Sequence, residues 1–167
     1  SDRINSLAVS ATLAMAQKSR DLKNQGVDII NLSIGEPDFN TPNHIKEAAK
    51  QAIDSNITFY PPVPGFPSLR EAIAKKLKDE KGLDYSAEQI VVSAGAKHSL
   101  INTLLCIINK NDEVIIPAPY WVSYIDMVKL AEGVPVIIDC ELENDFKMTP
   151  EQLEAAITPK TKALLYS

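Results

Sequence analysis

Features that mark several specialised classes of protein are scarce in this sequence. Its 167 residues include two cysteines, two histidines, one tryptophan and six glycines, and 17 basic side chains face 22 acidic ones, for a formal charge of −5. This acidic balance, without a Lys/Arg-rich run, leaves no electrostatic footprint for nucleic acid or an anionic membrane. No apolar stretch approaches the ~20 residues that cross a bilayer, and no basic segment leads into an apolar one. We therefore expect a cytoplasmic protein without nucleic-acid or membrane partners.

The cysteines and histidines do not form the pattern of a disulfide scaffold or a metal centre. Cys106 and Cys140 each lie inside an apolar run, while His44 and His98 stand apart from each other and from both cysteines. Zinc ligands recur at short, regular spacings, and these residues do not. We expect two buried, reduced thiols, two histidines at the surface or at helix caps, and no metal site.

What the sequence does have is an ordinary globular composition, 45% hydrophobic and 23% charged, at about the length of one domain of ~150 residues. Four prolines in the eight residues 60–67 (YPPVPGFP) predict a rigid loop. Apolar periodicity and helix end signals predict helices over 9–25, from Thr41-Pro42, up to Lys81-Gly82, and over 97–108, 120–131 and 150–156. Short apolar runs predict strands over 28–33, 90–93, 113–117, 134–138 and 162–166.

Strands that alternate with helices in this way predict the fold class. Parallel strands need crossover connections, so we expect an α/β protein with a mostly parallel sheet and crossover helices, its last four strands buried on both faces. Ligand sites of such sheets lie beyond the carboxyl ends of the strands. Because a predicted strand runs almost to Ser167, we expect this chain to be the front portion of a longer protein.

The first candidate site is the segment SAGAKH, residues 93–98, where a strand passes through Gly95 into a helix. Unpaired N–H groups and the positive dipole end at a helix start favour anions. Lys97 follows Ala96 and precedes His98, so this is not a P-loop, and a single glycine does not make a dinucleotide fingerprint. The alternative interpretation is a plain strand-to-helix turn.

The second candidate is the segment APYWVSY, residues 118–124, which holds the only tryptophan, Trp121, just after another strand. An aromatic plate there could stack on a planar ring, although a single aromatic after a strand is more often core packing. The third is IGEPDF, residues 34–39, where the Gly35 backbone could meet a carboxylate and Glu36 and Asp38 could act as acids or bases. We favour solvated or helix-capping carboxylates for those two acids.

Six segments together resemble one family in the same order along the chain: SLAVSAT (6–12), IGEPDFNTP (34–42), FYPPVPGFPSLREAIA (59–74), VVSAGAKHSL (91–100), DEVIIPAPYWVSY (112–124) and ITPKTKALLYS (157–167). They are similar to the class I aminotransferases, which are pyridoxal-phosphate enzymes of fold type I, and the likeness is greatest to the bacterial aspartate aminotransferases. The resemblance implies that the chain is the first half of the large domain, residues 41–167, preceded by an arm and part of a small domain, residues 1–40.

The same resemblance implies roles for individual residues. Backbone amides of Gly95, Ala96 and Lys97 would hold the phosphate of pyridoxal 5'-phosphate, and Trp121 would stack on its ring and border the substrate. Gly35 would meet the substrate carboxylate, and Tyr60 would reach the cofactor phosphate of the other subunit in a homodimer. The Schiff-base lysine of the family would lie beyond residue 167, so no catalytic residue is assigned here; Lys97 belongs to the phosphate turn. The chain alone is expected to be inactive and to self-associate.

The function implied for the intact protein is transfer of an amino group from an amino acid, with aspartate or glutamate among the donors, to a 2-oxo acid, in amino acid metabolism. Alternatives of the same fold are a kynurenine or aromatic aminotransferase and a carbon–sulfur lyase. A further alternative is a non-enzymatic, aminotransferase-like effector domain of a transcription regulator. That alternative would need a DNA-binding domain, and the N-terminal helices show no basic recognition helix.

Overall fold

The computed structural model describes residues 1–5, 7, 11–33 and 35–167, apart from the side chain of Arg3. Within it the chain forms two compact units: residues 1–35 with 97–167, and residues 36–96. The predicted division at residue 40, between an arm with part of a small domain and a large domain, stays a prediction. The start of the first long predicted helix, Val9 and Ser10, lies outside the described residues.

Helices and strands follow one another along the chain much as the periodicity predicts. The helices are α1 (Asp2–Asn5), α2 (Ala11–Asn24), α3 (Asn43–Asp54), α4 (Pro67–Lys81), α5 (Ala96–Ile107), α6 (Ser123–Leu130) and α7 (Pro150–Ala156). The strands are β1 (Glu113–Ala118), β2 (Val134–Asp139) and β3 (Thr161–Leu164). Short 3₁₀ turns occur at Ala87–Gln89 and Leu142–Asn144.

The three strands form one parallel sheet in the order β2-β1-β3. Glu113 of β1 lies opposite Val134 on one side and Thr161 on the other. The sequence places α6 between β1 and β2 and α7 between β2 and β3, which supplies the crossover segments that parallel strands require. The predicted α/β fold with a parallel sheet is confirmed.

The core is organised by the alternation of side chains along β1. Val114 and Ile116, both fully buried, face a cluster with α5 and α6 that includes Leu104, Ile108, Met127, Val128 and Ala131. Ile115 points to the opposite face. There it packs with Ile138 of β2, with Cys140 directly after β2, and with Leu153 and Ala156 of α7. Helices therefore cover both faces of the central strand, as a parallel sheet requires.

Two of the predicted strands are wrong. Residues 28–33 and 90–93 have no strand structure, and Ile30 and Leu32 are 91% and 90% exposed. A strand needs a hydrogen-bonded neighbour, and the local bonds go elsewhere: Ser33 donates its N–H to the Asn31 side chain at 3.1 Å. The Val92 N–H donates to Pro64 O at 2.9 Å, in the proline-rich loop.

Burial also differs from expectation at several places. Of the three strands of the described sheet, only β1 is buried on both faces, because β2 and β3 form its edges. β2 has exposed, half-buried and, at Ile138, buried positions, and β3 alternates between half-buried and exposed ones. Cys140 is buried as predicted, but Cys106 is exposed, because it lies on the face of α5 turned away from the core. His44 and His98 are both exposed.

The helix boundaries of the second unit, residues 36–96, follow their signals with one exception. Gly82 ends α4 in the left-handed conformation, with φ +68°, and Pro67 begins it after a loop that has no helix or strand at 60–66. The exception is α3, whose N-cap position is Pro42 and carries no side-chain cap. Ile45 and Ile53 of this helix lie outside the core and are exposed.

The start of α7 is fixed by a reciprocal cap. Thr149 Oγ1 accepts from the Gln152 N–H at 3.2 Å, and the Thr149 N–H donates to Gln152 Oε1 at 2.9 Å. Gln152 also donates from Nε2 to Asp139 O at 3.2 Å, which ties α7 to the end of β2. A hydrogen bond from its own backbone N–H, followed by one from the Thr149 side chain, lowers the pKa of Glu151 below 4.5.

Replacing Thr149 by alanine should destabilise the protein by about 1 kcal/mol through the lost cap, and should raise the pKa of Glu151 towards its ordinary value. A lowered carboxyl pKa contributes stability above the unfolded value and loses it as pH falls through the folded value. The difference in the free energy of unfolding between wild type and Thr149→Ala should therefore become smaller in acid. Thermal unfolding at a series of pH values measures it. Thr149→Ser keeps the hydroxyl and is the control; an equal loss in Thr149→Ser would contradict the capping explanation.

Candidate functional site

Of the predicted site residues, Lys97 and Trp121 belong to the first unit, and Gly95 and Ala96 are the last residues of the second. In the first unit a cavity of about 270 Å³ opens at the carboxyl ends of β1 and β3, and none of these four residues lines it. Its lining is Pro117, Ala118, Pro119, Phe146, Lys147, Met148, Tyr166 and Ser167. The Ala118–Pro119 peptide bond that follows β1 is cis. Parallel strands bring their carboxyl ends to one edge of the sheet, so the loops after both strands meet there.

The start of α5 carries the predicted anion site. Gly95 adopts φ +90°, a conformation that favours glycine, and the 12-residue helix begins at the next residue. N–H groups in the first turn have no partner within the helix, which suits Ala96 and Lys97 to an anion. The Gly95 N–H, in contrast, donates to Ser93 O at 2.9 Å, so its amide would have to leave that bond to bind a ligand.

The structure brings two of the predicted site residues together. The Lys97 ammonium lies 5.4 Å from the centroid of the Trp121 ring, within the range of a cation–π contact. Trp121 is 48% exposed, so its indole is not absorbed into the core. The first turn of α5 and the segment after β1 therefore present a positive charge and a flat aromatic surface side by side.

The segment that carries Trp121 is held on both sides. Tyr120 packs against the core cluster of α5, α6 and β1. The Tyr124 N–H donates to Trp121 O at 2.9 Å, and the Tyr124 hydroxyl shares a hydrogen bond with Ser167 Oγ at 3.0 Å. These contacts connect the loop after β1 to the end of β3 and hold the backbone that carries the indole.

The other predicted site residues lie elsewhere. Gly35 belongs to the first unit, in a segment without helix or strand, and a Cβ at this position would meet no atom within 4 Å. Its neighbour Ile34 lies outside the described residues. Tyr60 belongs to the second unit, where its side chain is fully exposed at the start of the proline-rich loop. Glu36 and Asp38 are exposed as well.

The chemistry that this arrangement supports is binding of an anionic, planar molecule. Amide donors and an ammonium suit a phosphate or a carboxylate, and an exposed indole suits an aromatic ring. Within the described part of the chain, no group of three or more His, Cys, Asp or Glu side chains is arranged to hold a metal ion. No helix among the described residues has the length and apolar character of a membrane span.

The sequence interpretation used only the backbone of Lys97 and missed its side chain. The signal that could have indicated the contact is the position of Lys97 in the first turn of a helix, with an aromatic residue after the strand that follows this helix in the chain. The Tyr124–Ser167 hydrogen bond was missed because the two residues are 43 positions apart. Such long-range pairs carry no local pattern.

A parallel sheet, a helix that begins directly after Gly95 and an exposed aromatic after the central strand are features of α/β proteins that bind ligands at the carboxyl ends of their strands. The profile of the family described as aminotransferase class I and II matches residues 27–167, so the chain belongs to that family. Solved aspartate aminotransferases, which have fold type I, superpose on this chain and confirm the predicted fold type.

Among solved structures, the aspartate aminotransferase of Thermus thermophilus with maleate superposes with a TM-score of 0.95 at 46% identity, covering 98% of this chain and 43% of that one. A probable aspartate/prephenate aminotransferase of Rickettsia bellii is 53% identical over 165 residues, 99% of this chain and 41% of the relative. The aspartate aminotransferase of Geobacillus stearothermophilus is 51% identical over 163 residues, 98% of this chain and 42% of the relative. The chain thus spans about two fifths of the length of these relatives.

Proposed function

We propose that a protein containing this chain, together with the remaining length of its relatives, transfers an amino group between an amino acid and a 2-oxo acid by means of pyridoxal 5'-phosphate. Aspartate or glutamate is the proposed donor. Membership of the family and the names of relatives at 51% and 53% identity support this function. The observation that carries this proposal is the short distance between two side chains. The Lys97 ammonium, at the start of α5, lies 5.4 Å from the centroid of the exposed Trp121 ring.

The residues present fit the cofactor. Pyridoxal phosphate joins a dianionic phosphate to a flat pyridine ring, and the chain offers amide donors, a cation and an indole in neighbouring segments. Lys97 already approaches the Trp121 ring, so a stacked pyridine would either displace its ammonium or take the opposite face. When bound, the cofactor supplies the electron sink that transamination needs, while the protein supplies binding and orientation.

Each residue of this chain would then contribute binding and orientation. Ala96 and Lys97 would donate backbone N–H groups to the phosphate, and Gly95 would do so after releasing Ser93 O. Trp121, fixed by Tyr120 and Tyr124, would hold the ring and one wall of the substrate site. Gly35 would approach the substrate carboxylate, because its open surroundings leave the backbone accessible.

The remaining parts of the proposal concern assembly. We infer a cytoplasmic homodimer in which the fully exposed Tyr60 reaches the cofactor phosphate of the partner subunit. Residues 1–40 would form an arm and part of a small domain, and residues 41–167 the first half of the large domain. The lysine that carries the cofactor would lie in the part of the protein beyond this chain.

The purified full-length protein should show a change in visible absorbance on binding pyridoxal phosphate and should convert aspartate and 2-oxoglutarate to oxaloacetate and glutamate. Oxaloacetate can be followed by its reduction with NADH and malate dehydrogenase. Omitting the cofactor from the apoprotein is the control. A protein that bound the cofactor without exchanging amino groups would contradict the proposed reaction and favour the non-enzymatic alternative.

A panel of substrates in the same assay separates the related activities. The name of the Rickettsia relative includes prephenate, a 2-oxo acid, which makes prephenate a second candidate acceptor for aspartate. Kynurenine and aromatic donors test the aromatic alternative, and release of a thiol from a thioether amino acid tests the lyase alternative.

Replacing Trp121 by alanine should weaken binding of pyridoxal phosphate by about 2- to 10-fold, the equivalent of the ~0.5–1.5 kcal/mol of an aromatic stacking contact. Trp121→Phe keeps an aromatic face and should retain most of the affinity. The measurement is a spectrophotometric titration of the apoprotein. If Trp121→Ala bound the cofactor as tightly as wild type, the indole would not be part of the site.

Residues 1–167 expressed alone should catalyse no amino transfer and should self-associate. The described sheet leaves the outer edges of β2 and β3 unpaired, and Val134 and Leu164 on these strands remain exposed, which promotes aggregation. Size-exclusion chromatography and the coupled assay measure the two properties. A monodisperse, active preparation would show both expectations to be wrong.

A further inference from the structure

The second unit contains a joint between its proline-rich loop and the segment that leads to Gly95. We call it the loop joint and define it by Pro64, Gly65, Arg70, Ala87 and Val92, all within residues 36–96. None of these five residues belongs to the site assigned above. Each of them takes part in a contact that fixes the path of the loop.

Arg70 connects two separate stretches of backbone. Its Nε donates to Gly65 O at 3.2 Å and its Nη1 donates to Ala87 O at 2.8 Å, and the side chain is half-buried. Hydrogen bonds from a charged donor are stronger than neutral ones, and the planar guanidinium directs both from one rigid group. A lysine has a single nitrogen on a flexible stem and would not reproduce this geometry.

Gly65 and Val92 close the joint from the other side. Gly65 has φ +102°, and a Cβ built on it would lie 2.8 Å from Val92 Cγ2. The Val92 N–H donates to Pro64 O at 2.9 Å. Any side chain at position 65 would therefore meet both backbone strain and a collision, so the loop and the segment around Val92 have one close-packed arrangement.

The loop joint lies close in the chain to Tyr60, which the proposed function directs to the cofactor of the partner subunit. Tyr60 precedes Pro64 by four positions, and prolines 61, 62 and 64 fix φ along much of that interval. Because these prolines restrict the backbone between Tyr60 and the joint, the position of the joint limits where Tyr60 stands relative to the rest of the second unit.

We propose that Arg70 is a positioning residue for the cofactor phosphate, acting through the loop that carries Tyr60. This inference rests on the proposed function, in which Tyr60 reaches the phosphate of the partner's cofactor. The Arg70 guanidinium is engaged by two backbone carbonyls, so it influences the phosphate through the loop rather than by contact. Loss of the Arg70 guanidinium would misplace the Tyr60 hydroxyl and would leave the Trp121 side chain, on which the cofactor ring is proposed to stack, unchanged.

The test compares pyridoxal phosphate with pyridoxal, which lacks the phosphate, as ligands of the full-length apoprotein. Arg70→Met should weaken binding of pyridoxal phosphate by about tenfold, or 1.4 kcal/mol, and change pyridoxal binding by less than about twofold. Arg70→Lys should fall between wild type and Arg70→Met. Arg20→Met is the matched control, because Arg20 lies on exposed α2 and donates to Gln17 one turn away; it should bind both ligands as wild type does.

If Arg70 had only a structural role, its substitution would not change the ratio of the affinities for pyridoxal phosphate and pyridoxal. If Arg70→Met lowered thermal stability and weakened both ligands equally, the positioning role would be overturned. Gly65→Ala disturbs the same joint from the opposite side and should change the ratio in the same direction, which keeps the test available if Arg70→Met folds poorly. An unchanged ratio in Gly65→Ala and Arg70→Lys would also overturn the inference.

A double-mutant cycle identifies the route of the effect. In a Tyr60→Phe background, Arg70→Met should change the affinity ratio by less than about twofold, because the hydroxyl that Arg70 positions is already absent. Additive effects of the two substitutions would contradict action through Tyr60. If wild-type protein bound no pyridoxal phosphate at all, the proposed function would fail first, and the role of Arg70 with it.

Discussion

The structure depends on the burial of one strand. β1 is hydrogen-bonded to a parallel neighbour on each side, and its Val114, Ile115 and Ile116 are shielded from water on both faces. Such a strand is stable only if helices pack above and below it, and α5 and α6 on one face and α7 on the other meet this need. The apolar sequence VIIP is therefore the constraint from which the layering of the first unit follows.

The same constraint places the candidate site. Since all three strands run in one direction, the loops that follow β1 and β3 emerge at one edge of the sheet. Tyr120 anchors the loop after β1 to the core, and Tyr124 ties it to Ser167, so Trp121 remains half-exposed at a fixed place. α5 packs against the same core cluster, which brings the Lys97 ammonium over the indole. The packing of the core thus also determines where Lys97 and Trp121 lie at the surface.

The second unit is organised by polar contacts with backbone and by close packing, and not by a buried apolar cluster. Helices α3 and α4 have no fully buried residue among those described. The hydrogen bonds of Arg70 and the close contact of Gly65 with Val92 hold the proline-rich loop in place, and the prolines of that loop already limit its conformations. Large apolar side chains such as Ile53, Phe59 and Val63 remain exposed there, which agrees with a chain that spans about two fifths of the length of its relatives.

By itself the sequence determined the α/β class, the three strands of the sheet, the positions of the long helices and the proline-rich loop, because periodicity, prolines and glycines act locally. It also indicated the segments around Gly95 and Trp121. Tertiary structure decided what depends on partners distant in the chain. Residues 28–33 and 90–93 have the composition of strands but pair with no strand among the described residues, and Cys106 lies on the exposed face of α5. The cation–π contact of Lys97 with Trp121 and the two hydrogen bonds of Arg70 join residues between 5 and 24 positions apart, and no local pattern encodes such meetings.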